Sequence, residues 1–304
     1  MDIGLDWESL NRPVEWQNLF GNNNPVDCEI GYGNGEFLVH KAIEYPERNF
    51  FGIDYGDKLY RKARKEVGEA ELTNVRVICM EARATFLILV PERSLSHVYI
   101  NFPDPWPKKK HGKNRLLDKE FFALTATRVM DGGEIIIITD DSFYRDFILF
   151  EMEATQLWKS LFHKGYTDEL SGYYRTRYEK KWRENGKSIY YMVFQKKGNP
   201  EKEYRLKEYA ISDMVFPNFD PSFLEKVTGK TIKDGDSVAR VLKTGETDNG
   251  IKLELLLKDG TLVRKRTLHI ERGEKKEWKL QLPDNLFCTH SFKIFTDRLK
   301  TLNK

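Results

Sequence analysis

Residues 101–116 read NFPDPWPKKKHGKNRL, which places a carboxylate between two prolines, then a tryptophan, a third proline and a basic run. Proline fixes its own φ and restricts the residue before it, so Asp104 is held in a stiff loop. Trp106 offers a flat surface that can line a wall or stack on a base. From Lys108 to Arg115 there are five Lys/Arg, one histidine and no acid. Lys108, Lys109, Lys110, His111, Lys113 and Arg115 could neutralise phosphates without reading sequence, or form a solvated surface.

A second constellation lies upstream. EIGYGNGEF follows a strand-like run and opens a helix-like one, with Gly31, Gly33 and Gly35 allowing a tight turn and close approach of the backbone to a ligand. Asp54, 23 residues beyond Gly31, stands about where an acid binds ribose hydroxyls in dinucleotide folds. Two residues oppose a dinucleotide. Glu36 replaces the third glycine of that fingerprint, and Glu29 precedes the turn. A carboxylate repels a pyrophosphate and attracts the ammonium of a methionine moiety, which points to S-adenosylmethionine. Glu81, ending VICME, could accept from an adenine amino group. Glycines end strands for many reasons, so the series of three acids, Glu29, Asp54 and Glu81, carries this reading.

The elements that must position these groups follow from periodicity. Short β-rich runs (VDCEI, NFFGID, VRVICM, LSHVYINF, GEIIIITD) alternate with amphipathic segments, and the spacing predicts helices over 119–130 and 142–164. Such alternation implies a mainly parallel sheet covered on both faces. Ligands in such sheets bind beyond the carboxyl ends of the strands, so Asp104, just past the fourth strand, faces the reactive end of the cofactor. The α/β domain is expected over residues 1–197. Beyond KKGNPEK the texture becomes strand-like with Gly-containing turns, and LLLKDGTLV reads as a hairpin at Asp259-Gly260. A smaller, mainly β domain is expected over 198–304.

Charge separates the two. Residues 1–197 carry 29 Lys/Arg against 30 Asp/Glu, and 198–304 carry 21 against 17. The basic excess, with an RKR run at 264–266, suggests a second phosphate contact, while bracing of the first domain is an equal alternative. The three cysteines, Cys28, Cys79 and Cys288, show no metal-ligand spacing, so no zinc site is expected. No apolar run approaches the ~20 residues of a membrane span, and the opening MDIGLDWESL has no signal-peptide pattern. A cytoplasmic, reducing location is expected.

With EIGYGNG, GIDY, NFPDPWPKKKHGKNRL, ITDD and RTRYEKKWRENGKSIY in place, residues 26–197 resemble the bacterial tRNA (guanine-N7-)-methyltransferases of the TrmB type. The proline loop is far more specific than the glycine turn. The resemblance implies a class I (Rossmann-like) S-adenosylmethionine-dependent methyltransferase fold and methylation of guanine N7 in the variable loop of tRNA. It implies Glu29, Asp54, Glu81 and Asp104 on the cofactor side, with Asp104 catalytic. Lys108, Asp140 and the tetrad Thr176, Arg177, Tyr178 and Glu179 fall on the guanosine side. Asp54 stands where the family usually has Glu, Glu81 where it usually has Asp, and Asn114 where a basic residue is common. Residues 198–304 lie outside the common core. Asp140 could instead cap the following helix, and RTRYEKKW could be a charged surface. Two other readings stay open: methylation of an exocyclic base amine, and a non-catalytic RNA-binding adaptor.

Overall fold

The computed structural model describes residues 3–106, 115–217, 228–260, 262–273, 277–282 and 286–302. The chain forms two compact units, Met1–Arg205 and Leu206–Lys304. The first is built on eight strands: β1 (Gly4–Leu5), β2 (Val26–Ile30), β3 (Asn49–Asp54), β4 (Val75–Cys79), β5 (Leu95–Asn101), β6 (Val129–Thr139), β7 (Trp158–Ser160) and β8 (Tyr190–Lys196). Their order is β1-β4-β3-β2-β5-β6-β8-β7. Pairing is parallel from β1 through β6, and β8 runs antiparallel to both β6 and β7. Every residue of β2 and β3 is buried, as expected of central strands covered on both faces. After β4 the chain crosses back to lay β5 on the other side of β2. This reversal opens a crevice at the carboxyl ends of β2 and β5.

Among the described residues this unit has seven α-helices: α1 (Trp16–Phe20), α2 (Glu36–Glu44), α3 (Asp57–Glu69), α4 (Ala82–Ile88), α5 (Lys119–Arg128), α6 (Ser142–Thr155) and α7 (Arg177–Glu184). Two stop earlier than periodicity predicts. α5 ends at Arg128 because Val129 enters the sheet. α6 ends at Thr155, where Gln156 adopts a left-handed φ of 59° and Trp158–Ser160 become an edge strand. Past β8 the backbone stays with this unit. Lys202 Nζ and the Tyr204 hydroxyl donate to Glu120 Oε2 at 2.9 and 3.0 Å, and Arg128 Nη2 donates to the Tyr204 carbonyl at 2.6 Å. The two units therefore divide at Arg205, beyond the boundary at 197 that composition suggests.

The second unit contains β9 (Met214–Phe216), β10 (Thr231–Asp234), β11 (Ser237–Thr247), β12 (Gly250–Asp259), β13 (Leu262–Arg272), β14 (Trp278–Leu280) and α8 (His290–Leu302). These strands form one antiparallel sheet in the order β10-β11-β12-β13-β14-β9. The hairpin expected at Asp259-Gly260 is present, with Asp259 opposite Leu262 and Gly260 at a φ of 58° that suits glycine. Asp259 is only 5% exposed. It accepts from Ser237 Oγ at 2.8 Å, Ser291 Oγ at 2.5 Å, the Ser291 N–H at 2.8 Å and Arg264 Nη2 at 3.3 Å, as well as from the Thr289 hydroxyl. Burial pushes this carboxyl up, but the bonds from Ser291 and Thr289 prevail and hold it below its ordinary range. The hairpin tip is thus tied to the start of α8. None of the described helices is long and apolar enough to cross a membrane.

Candidate active site at the carboxyl ends of β2 and β5

The glycine turn joins β2 to α2 with Gly31, Gly33 and Gly35 at φ values of 80°, 57° and 87°. A Cβ at Gly31 or Gly33 would project into open space, whereas one at Gly35 would lie 3.1 Å from Ala63 Cβ. The first two glycines leave room for a ligand, and the third lets α3 pack closely. Gly35→Ala is therefore expected to cost about 1–3 kcal/mol through left-handed strain and overpacking. A thermal midpoint unchanged from wild type would refute that role. From the end of β3, Asp54 accepts from the Gly33 N–H (Oδ2) and the Gly56 N–H (Oδ1), each at 3.1 Å, and so braces the turn. Beside it Tyr55 is 74% exposed, an aromatic face at the crevice rim that spacing alone did not single out.

Glu29, at 2% exposure, is the most telling group. Its Oε1 accepts from Asn101 Nδ2 at 2.9 Å, while its Oε2 is buried with no hydrogen-bond partner. Burial pushes the carboxyl up to about 8, helped by the charges of Asp54 and Glu36 and opposed by the Asn101 bond. A buried carboxylate with one oxygen unmatched fits a ligand ammonium. Asn101 Oδ1 in turn accepts from the Tyr173 hydroxyl at 2.8 Å. Glu81 caps α4, accepting from the Arg83 and Ala84 N–H groups at 3.1 and 2.8 Å. An ionised carboxylate has about four lone-pair sites, so the cap leaves acceptor capacity for an adenine amine.

The proline loop leaves β5 through two non-glycine residues in the left-handed region, Phe102 (φ 52°) and Trp106 (φ 43°). The Phe102 N–H bonds to the Ile138 carbonyl at 2.8 Å. Arg115 closes the loop from the far side, with Nε donating to the Pro105 carbonyl at 2.9 Å and Nη2 to the Trp106 carbonyl at 3.2 Å. Its guanidinium lies 4.5 Å from the centre of the Phe147 ring. Sequence suggests Arg115 as a phosphate contact, and here two of its five N–H groups hold the loop. Asp104, between these fixed points, is exposed. Lys108, Lys109, Lys110, His111 and Lys113 lie outside the described residues.

On the opposite side, Asp141 is the residue that caps α6, accepting from the Tyr144 N–H at 2.8 Å. Asp140 pairs instead with Lys187 Nζ at 2.5 Å, and that ammonium sits 3.8 Å over the Trp182 ring. Thr176 caps α7 through the Glu179 N–H at 3.3 Å. Arg177 reaches Glu36 with its backbone N–H at 2.9 Å and its Nε at 3.1 Å, and the Tyr174 hydroxyl joins the same carboxylate at 2.9 Å. The Tyr178 ring packs 4.8 Å from Phe102 at the base of the proline loop. Glu179 turns inward at 1% exposure, and its Oε1 accepts from Arg183 Nε at 2.9 Å and from the Tyr191 hydroxyl. Residues 173–178 are thus tied to the glycine turn and to β5 through Asn101, Tyr173, Tyr174 and Glu36. Sequence spacing missed this set because its members lie far apart in the chain. Among the described residues, no three His, Cys, Asp or Glu side chains gather as a metal-ligand set.

A methyltransferase family model matches residues 23–192. The chain is 30% identical to the tRNA (guanine-N(7)-)-methyltransferase of Thermotoga maritima over 276 residues, covering 90% of this chain and 86% of that one. It is also 30% identical over 276 residues to the Aquifex aeolicus protein of the same name, covering 89% and 88%. The Geobacter metallireducens relative, likewise so named, is 35% identical over 193 residues, 63% of this chain and 92% of its own. An alignment of 276 residues must run beyond the first unit, which ends at Arg205, so the similarity to the Thermotoga and Aquifex proteins extends into the second unit.

Proposed function

The chain belongs to the tRNA (guanine-N7-)-methyltransferase family, and from that premise we infer that it transfers a methyl group from S-adenosylmethionine to N7 of a guanosine in the variable loop of tRNA. Its fold is that of a class I methyltransferase with a second, antiparallel unit. The observation that carries the reading is Glu29, a buried carboxylate with an unmatched oxygen beside the glycine turn. S-adenosylmethionine supplies, when bound, a methyl group on a positively charged sulfur. Glu29 would take the ammonium of that molecule, Asp54 its ribose hydroxyls and Glu81 its adenine amine. Gly31 and Gly33 let the backbone come close.

Guanine N7 carries an in-plane lone pair and no proton, so the chain need not supply a general base. Alignment and electrostatics suffice. Asp104, held by the prolines and by Arg115, orients the reactants and stabilises the positive charge that grows on the imidazole ring of the base. Asp140, which does not cap α6, accepts from the N1–H and N2 amino edge of guanine, while Lys187 fixes its position. Thr176 and Tyr178 line the approach to the base. Glu179 faces Arg183 and Tyr191, so we assign it to holding α7 in place and Arg177 to anchoring that segment on Glu36. An enzyme with this substrate works in the cytoplasm.

The test is incubation with unmodified tRNA and methyl-labelled cofactor, followed by chain cleavage selective for N7-methylguanosine. Cleavage at one guanosine of the variable loop is expected. Label that resists this cleavage would mean an exocyclic amine is methylated. Cofactor binding without transfer would indicate an adaptor.

A further inference from the structure

We propose that the open face of the second unit's sheet binds the sugar-phosphate backbone of RNA, a proposal that rests on the tRNA reading above for the identity of that RNA. α8 covers the other face, where Phe292, Phe295 and Leu299 pack with Leu253, Leu255 and Leu268. Strand alternation sends the intervening residues to the uncovered side. There β11 presents Arg240 and Lys243, β12 presents Lys252 and Lys258, β13 presents Lys265, and β14 presents Lys279. The acids alternating with them in β12 and β13 are Glu254 and Glu271.

Register shows that this charge is not balanced within the face. Arg240 and Lys265 stand on either side of Leu256, and Lys258 stands between Val238 and Val263. A sheet face shaped only for solubility sets opposite charges across neighbouring strands. Lys243 and Lys279 follow that pattern, opposite Glu254 and Glu271, whereas the β12 neighbour of Arg240 and Lys265 and both neighbours of Lys258 are aliphatic. Among the described residues no ion pair involves Arg240, Lys258 or Lys265, whereas Lys252 pairs with Glu254 at 3.5 Å. These three cations project into solvent, so any contact they make with a polyanion should depend strongly on salt. Arg240 and Lys243, on either side of the β11 bulge, stand about 7 Å apart, and Arg240 and Lys265 about 10 Å apart across Leu256, a group of point charges suited to a polyanion and without sequence readout. Of the RKR run, Lys265 alone belongs to this group. Arg264 is 4% exposed and is bonded to Asp259 and the Phe287 carbonyl inside the unit.

The experiment compares two triple variants of the full chain by titration with fluorescent tRNA over a range of salt. Replacing Arg240, Lys258 and Lys265 with Gln is expected to lower affinity ~10- to 100-fold and to flatten the log-log salt slope by roughly 2–3 units, at about 0.7–0.9 per phosphate contact. Methyl transfer at saturating tRNA should be retained. Replacing Lys293, Arg298 and Lys300 of α8 removes the same charge elsewhere in the unit and should leave the slope near wild type. Equal losses in both variants would reduce the effect to net charge and overturn the face. An unchanged slope in the sheet variant would also overturn it, and a shift in sedimentation at unchanged slope would assign the face to a second copy of the chain. The titration needs no catalysis. A wild-type chain that binds tRNA without methylating it would refute the proposed activity and leave the surface standing.

Discussion

Asp104→Ala is expected to lower turnover by about 100-fold or more while leaving the thermal midpoint unchanged. Asp104 is exposed and makes no side-chain hydrogen bond among the described residues, so its removal takes away no contact that supports the fold. What it loses is a fixed negative charge where positive charge develops on the base, and preorganised groups of this kind contribute on the order of 10²–10³ in rate. The loss should fall on kcat more than on the KM for either substrate. Asp104→Asn keeps the shape and part of the hydrogen bonding without the charge, so it should fall between the two. Near-normal turnover in a folded Asp104→Ala protein would remove Asp104 from the chemistry.

Glu29→Gln is expected to weaken cofactor binding by ~100-fold or more, because breaking a buried charge pair typically costs about 3–5 kcal/mol. The wild-type affinity should depend on pH in a direction set by burial. Without ligand the Glu29 carboxyl sits near 8, so at lower pH it holds a proton that an incoming ammonium must expel. Affinity should rise with pH up to about 8, then decline as the cofactor's own α-amine, ordinarily near 8, loses its proton. Stability of the ligand-free chain follows the opposite course. A carboxyl raised from 4.5 to about 8 by folding contributes stability that is full below 4.5 and is lost as pH climbs towards 8. Calorimetric titration at pH 6, 7 and 8 decides the matter. A flat wild-type profile, or a Gln variant that binds as well as wild type, would sink the ammonium assignment.

Local signals made much of this site legible. The glycines, Asp54 and the proline loop sit at strand ends whose order follows from short-range periodicity, and the hairpin at Asp259-Gly260 announces itself by turn chemistry. Ambiguity entered wherever two neighbouring residues could serve one purpose. Asp140 and Asp141 both suit a helix cap, and only the Tyr144 contact selects the second. Long-range pairing was beyond reach of the sequence. Glu29, Asn101 and Tyr173 form one hydrogen-bonded line although 72 residues separate each from the next. Arg264 likewise reads as surface charge in an RKR run, and its burial follows from Asp259, Thr289 and strand parity together.

Phe102 and Trp106, both at positive φ, frame the loop that carries Asp104. Each is held in a conformation that disfavours a side chain by roughly 1–2 kcal/mol, which glycine would largely relieve. At Phe102 that relief is smaller than the packing a glycine would forfeit, because the ring lies against the cluster of Ile138, Ile189 and Tyr191 and truncating a packed Phe costs about 3–5 kcal/mol. The same exchange would remove the ring that packs against Tyr178 and loosen the frame around the carboxylate. The strain at Phe102 is therefore carried by the fold's own packing, and directed evolution of a hardier variant should leave that ring in place and seek its gains elsewhere.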